Sequence, residues 1–221
     1  MRRWRILFLA SSMILGGCVA VRQVPLPESE SSRFAGRALQ RSAYPKPDFA
    51  AYTAGKAQFG LIGAALIISA GNEIIREHGV EDPAVRIGHE LAHTLVLRYS
   101  LQLATSDPPV SQSDDVGALL QTYGDADLIL DIKTINWMFI YFPSDWDNYR
   151  VLYSARLRVI DRQQQTVIAE GFCNYKPEYE NTNTAPTRDE LLGNDAEGLK
   201  RELAKAGDWC ITFFRSGTFR I

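Results

Sequence analysis

The chain has 221 residues, is 46% hydrophobic and 23% charged, and carries a net charge of −2 with 24 basic against 26 acidic side chains. That balance gives no electrostatic footing for a nucleic-acid partner. Beyond the N-terminus no stretch reaches the roughly 18 apolar residues that a membrane-crossing helix needs, so no later segment is expected to cross a membrane as a helix.

The first 17 residues read as a secretory signal. Arg2, Arg3 and Arg5 form a positive start, Ile6 to Leu15 form a short apolar run, and Leu15-Gly16-Gly17-Cys18 closes it. Ten apolar residues are too few to span a bilayer. The Leu, two small residues and Cys resemble the lipobox of bacterial lipoproteins. The resemblance implies cleavage before Cys18, acylation of Cys18 (including a palmitate-type chain), and membrane attachment through that lipid. Val19 follows the cysteine where an Asp in enteric lipoproteins marks inner-membrane retention, so the resemblance implies an outer-membrane protein facing the periplasm. Losing Arg2, Arg3 and Arg5 leaves 21 basic against 26 acidic residues, a mature net charge of −5.

Residues 18–52 carry Pro25, Pro27, Pro45 and Pro47 and a Glu/Ser cluster, and read as a flexible tether. A single domain is expected over 53–221. Residues 57–72 are uncharged and rich in Gly and Ala. They predict a buried helix, or alternatively a segment for self-association or membrane contact. Asp82-Pro83 predicts a helix start, with Ile87, Leu91 and Leu95 on one face of a helix over about 83–100. A shorter helix is expected over 113–123, and a strand near 94–105 could widen the sheet.

From Ala126 the apolar period changes to two. Runs at 126–142, 151–160 and 166–175, with turns between, predict an antiparallel meander. Thr187 and Glu190 make a capping box for a last helix that carries Leu192, Leu199, Leu203, Ala206 and Cys210. The expected fold is therefore α+β: an antiparallel sheet of three to four strands packed by two or three helices. Ala126-Asp127-Leu128-Ile129-Leu130, Tyr149-Arg150-Val151, Leu157 to Asp161 and Val167 to Gly171 are similar to small periplasmic α/β lipoproteins, of the kind related to the TolB N-terminal domain and the curli-secretion lipoprotein. That resemblance supports the fold.

Two cysteines remain in the body, Cys173 and Cys210. In an exported, oxidising compartment an even pair predicts a disulfide. Cys210 continues the apolar face of the last helix, and Cys173 shares a strand face with small residues, so a bond would pin helix to sheet.

Two patterns carry candidate chemistry. His89-Glu90-Leu91-Ala92-His93 resembles the HExxH signature of zincin metallopeptidases, which implies zinc on His89 and His93 with Glu90 as general base. The chain supplies no third ligand at zincin spacing, and the two imidazoles fall on the polar side of their helix beside Arg86. The second pattern is aromatic: Trp137, Phe139 and Tyr141 on one strand, with Trp146, Tyr149 and Tyr153 beyond the turn. It reads as cross-strand core packing or as a partner surface at the hairpin tip. The leading expectation is a non-enzymatic accessory or assembly lipoprotein without a cofactor, binding another envelope protein and able to form a homo-oligomer. The alternative is a lipid-anchored zinc peptidase.

Overall fold

A computed structural model describes residues 22–57 and 60–221. Cys18 and the signal segment lie outside the described residues. Among the described residues the chain runs α1 (Glu28–Ser31), β1 (Ala38–Arg41), β2 (Ala50–Tyr52), α2 (Ala54–Ala57), α3 (Gly60–Glu77), α4 (Pro83–Tyr99), β3 (Gln102–Leu103), α5 (Val116–Thr122), β4 (Leu128–Phe142), β5 (Asp145–Asp161), β6 (Thr166–Tyr175) and α6 (Arg188–Phe213), followed by a π-helical turn at Phe214–Phe219.

The meander β4–β5–β6 is antiparallel and continuous, as the period-two runs predict. The sheet is wider than expected, and it is mixed. β1 lies parallel to the start of β4, pairing Leu39 with Leu128. β2 lies parallel to its far end, pairing Ala51 with Phe139. β3 adds to the outer side of β1, which gives six strands in the order β3-β1-β4-β5-β6 with β2 also on β4. The expected three- to four-stranded, purely antiparallel sheet is therefore corrected. The added strands are two to four residues long, too short to show an alternating period.

The same finding corrects the expected tether. Within residues 18–52, the described part is built into the body. Val24 pairs with Glu170 of β6, and Leu26, Phe34, Leu39 and Phe49 are buried. Pro45 and Pro47 sit in the connection between β1 and β2, not in a free linker.

Two helices cover one sheet face. Asp82 caps α4 by accepting from the Ala84 amide at 3.0 Å, and Pro83 occupies the first helical position, where its missing N–H costs nothing. Ile87, Leu91 and Leu95 then bury against the sheet, and Ser100 ends the helix in the left-handed region. In α6 the capping box forms as predicted: Glu190 Oε2 accepts from the Thr187 amide at 2.7 Å, and Thr187 Oγ1 accepts from the Glu190 amide at 3.3 Å. The long helix is not continuous. Asn194, Asp195 and Ala196 all have positive φ, so a short first segment breaks before the main one. Asp195 is held there by Lys200 at 2.8 Å and by His78 Nδ1 at 2.9 Å.

The main segment of α6 carries Leu199, Leu203, Ala206 and Cys210 into the core. Cys173 of β6 and Cys210 are disulfide-bonded, with Cα atoms 5.5 Å apart. Arg86 of α4 lies across Gly207 of α6, donates to the Ala204 carbonyl at 2.7 Å and pairs with Asp208 at 2.7 Å. The absence of a side chain at Gly207 leaves room for the Arg86 guanidinium, which a Cβ there would meet at 2.8 Å.

α5 and the segment before it cover part of the opposite sheet face. Leu119 and Tyr123 pack on Ile129 and Ile160 in a second, smaller apolar cluster. Asp115 caps this helix by accepting from the Ala118 amide at 3.2 Å. The Tyr123 hydroxyl donates to the Pro109 carbonyl at 2.8 Å and accepts from the Ala43 amide at 2.9 Å, which ties two loops to the helix.

Candidate functional site

His89, Glu90 and His93 all lie on α4, and all three are exposed. The two imidazoles line different depressions of the surface. His89 lines a cleft of about 260 Å³ between α4 and the end of β1, together with Arg41, Asp107 and Lys133. Burial, and then the charge of Arg41, push the His89 imidazole below its usual pKa. His93 lies one turn on, in a separate shallow depression with Arg98 and Arg215. Among the described residues no three His, Cys, Asp or Glu side chains are grouped to hold a metal ion. Two imidazoles beside three guanidinium groups do not fit a catalytic zinc, which needs three protein ligands and an open position.

The cleft beside His89 borders a charged network on the outer sheet face. Asp131 of β4 is fully buried and receives Arg158 of β5, from Nε at 2.8 Å and from a terminal nitrogen at 2.7 Å. Ser42 donates to it at 2.9 Å, and the Tyr44 hydroxyl donates to it as well. Arg158 also donates to the Asp114 carbonyl at 2.6 Å. Burial opposes ionisation of the Asp114 carboxyl, but hydrogen bonds from Arg156 and Lys133 outweigh it and hold the group at about 2. Burial and the Asp131 charge push the Tyr44 hydroxyl upward. The network clamps the loops at 42–44 and 111–115 to the sheet. Its groups are committed to one another, so it is structural.

The aromatic residues divide by position. Trp137, Phe139, Tyr149 and Tyr153 are core residues on the helix-covered side. Phe49 of the β1–β2 connection meets Trp137 edge-on at 5.1 Å, and the Trp137 indole donates to the Asp48 carbonyl at 2.9 Å. Trp146 at the hairpin tip is 59% exposed.

Most of the uncharged stretch 57–72 forms the first part of α3. The helix is fixed through Gly71, where a Cβ would fall 1.9 Å from the Phe49 carbonyl oxygen, and through Asn72, which accepts from the Phe49 amide at 2.9 Å. Ahead of those contacts the helix presents Ile62, 73% exposed, and Leu66, 48% exposed, one turn apart. Ala65 and Ser69 are exposed beside them. No described helix is long and apolar enough to cross a membrane.

No family model matches the chain, and no curated protein does. Among solved structures the chain is similar to the hypothetical protein CT253 of Chlamydia trachomatis, at 9% identity over 83% of this chain and 98% of that one, with a TM-score of 0.39. It is similar to PelC of Paraburkholderia phytofirmans, solved as a dodecamer, at 11% identity over 91% and 98% with a TM-score of 0.34. It is also similar to the lipoprotein GNA1162 of Neisseria meningitidis, at 14% identity over 80% and 98% with a TM-score of 0.28. At these scores the likenesses pass on no function.

Proposed function

We propose that this chain is a lipid-anchored protein of the bacterial envelope, attached to the outer membrane through acylated Cys18 and facing the periplasm. It acts without a cofactor, as an accessory or assembly component that binds another envelope protein. The observation that carries the binding role is the free face of α3. Ile62 and Leu66 stand one turn apart on a helix half without charge, the spacing with which an amphipathic helix enters a partner's groove. The Cys173–Cys210 bond supports export to an oxidising compartment.

Crosslinking in intact envelopes followed by purification of the tagged full chain tests this. The wild type is expected to retain one envelope protein that an Ile62→Asp/Leu66→Asp variant loses at unchanged melting temperature. Recovery of the same protein with the variant would contradict the assignment. A native mass at a multiple of the chain, abolished by the same variant, would make the partner a second copy.

A further inference from the structure

Arg41, the last residue of β1, has an uncommitted guanidinium. Its side chain is half-buried and runs over Gly88 of α4, where a Cβ would stand 3.8 Å from both Arg41 Cδ and Ile132 Cγ1. Four other arginines of the body, Arg37, Arg86, Arg156 and Arg158, each hold a carboxylate. Among the described residues Arg41 forms no ion pair and no side-chain hydrogen bond, and burial pushes its pKa below the usual value. A charge that gives up water without gaining a partner is costly.

Arg41 lines the cleft of about 260 Å³ that also holds His89. The His89 imidazole has no hydrogen-bond partner among the described residues, and the Arg41 charge opposes its protonation. Two groups that attract an anion thus share one cleft. The other charges there are engaged or peripheral. Lys133 of β4 is held by Asp114 at 3.2 Å, and the Tyr44 hydroxyl donates to Asp131. Asp82 accepts from the Ala84 amide and the Thr134 hydroxyl, and burial pushes its carboxyl upward. Asp107 is exposed and beyond ion-pair distance of Arg41, although its charge favours the protonated forms of Arg41 and His89, as Glu90 does for His89. Buried Leu130 and Ile132 and the rings of Pro45, Pro47 and Pro108 supply an apolar lining.

A guanidinium receives a carboxylate or a phosphate through two parallel N–H donors. A phosphate dianion would need further donors for its remaining oxygens, and the lining offers an apolar wall and the Asp82 carboxyl instead. A monocarboxylate has only two oxygens to satisfy, and its carbon tail suits Leu130 and Ile132. The cleft is smaller than the roughly 300–1,000 Å³ of sites for drug-sized ligands, so the tail is short. We propose that the cleft binds a small apolar monocarboxylate, its charged end between Arg41 and His89 and its tail against Leu130 and Ile132. The site is separate from the α3 face and stands independently of any protein bound there.

The probe is butyrate, added to the full chain in non-ionic detergent, with chloride at equal ionic strength as the control. The chain has three histidines, His78, His89 and His93, whose ring resonances are followed by NMR and assigned through His89→Asn. Butyrate is expected to shift the His89 Cε1–H resonance saturably and to leave the other two in place. Binding should weaken as the pH rises from about 5 to 8, because a neutral imidazole no longer attracts the anion. Arg41→Gln should weaken it at least about tenfold at an unchanged melting temperature. Should that variant not fold, Arg41→Lys keeps the charge, loses the fork and should still bind more weakly. Asp107→Asn, which removes a competing charge, should bind more tightly. A His89 resonance that responds to butyrate no more than to chloride overturns the proposal, as does a shift undiminished in the folded arginine variant. A tighter response to inorganic phosphate than to butyrate makes the occupant a phosphate and overturns the carboxylate assignment.

Discussion

Arg158 meets Asp131 across the β4–β5 pair inside the sheet's outer layer, with two guanidinium nitrogens at 2.7 and 2.8 Å from one fully buried carboxylate. Arg158 is itself 7% exposed, and the same terminal nitrogen that lies 2.7 Å from Asp131 also donates to the Asp114 carbonyl. A buried pair of this kind is satisfied but not free of desolvation cost, so the two single substitutions and the double one separate its terms.

We predict that Arg158→Met destabilises the protein by about 3–5 kcal/mol, because it leaves Asp131 buried with only Ser42, Tyr44 and the more distant Arg156. The double variant Asp131→Leu/Arg158→Met should recover most of that loss. Urea denaturation of the three proteins measures it. A single variant within 1 kcal/mol of wild type, roughly the value of an exposed pair, would show that water reaches the site.

The Cys173–Cys210 bond closes a loop of 37 residues. On the chain-entropy account its removal by Cys173→Ala/Cys210→Ala costs roughly 4 kcal/mol, an upper figure since strain subtracts. Alkylation and mass spectrometry of protein isolated without reductant should find neither thiol free. Two alkylated cysteines would rule the bond out.

The acid limb of stability is set in part by Asp114. Its carboxyl falls from an ordinary 3.8 to about 2 in the fold. A depressed carboxylate stabilises the folded state at pH above its unfolded value and loses that contribution as the pH falls through the folded one. The difference in unfolding free energy between wild type and Asp114→Asn should therefore be constant above about pH 5 and shrink between pH 4 and 2. A difference that does not change over that window would mean that Arg156 and Lys133 hold the backbone at Asp114 and not its charge.

Gly71 is the contact on which α3 is seated. Gly71→Ala sets a methyl group against the Phe49 carbonyl, a backbone atom that cannot rotate away. We predict a loss of about 1–3 kcal/mol, in the range of core overpacking, read from the denaturation midpoint. An unchanged midpoint would show that α3 shifts freely over β2.

The elements with a long, regular period were legible in the residues. The meander, the Asp82-Pro83 helix start and the Thr187/Glu190 box all stand where the sequence places them. What was missed had weak or conflicting local signals. In β4 the inward residues are Leu128, Leu130, Ile132 and Thr134, then Trp137 and Phe139. The parity changes because Ile135 is an extra, 44% exposed residue at a register shift. The alternation of Leu130 and Ile132 with Asp131, followed by that of Trp137 and Phe139, contains this switch, and only pairing with β5 locates it.

The strands of the N-terminal segment were illegible for a different reason. β1 and β2 have four and three residues and pair parallel to β4, so their register is fixed by a partner about ninety residues away. The break in α6 had a local cue in Gly193-Asn194-Asp195, a turn-forming cluster outweighed by the helical spacing of Leu192 and Leu199. The α3 face was half legible. The uncharged run marks the helix, but which residues remain uncovered depends on where Gly71 docks.

The central claim is attachment through Cys18, and fractionation of cells expressing Cys18→Ser tests it most directly. Because no described helix is long and apolar enough to cross a membrane, we predict that the wild type sediments with the outer membrane, carries acyl mass on Cys18 and is released only by detergent. The variant should appear in the soluble periplasmic fraction with its disulfide intact. A variant that stays with the membrane as wild type does, or a wild-type Cys18 without acyl mass, would contradict the account.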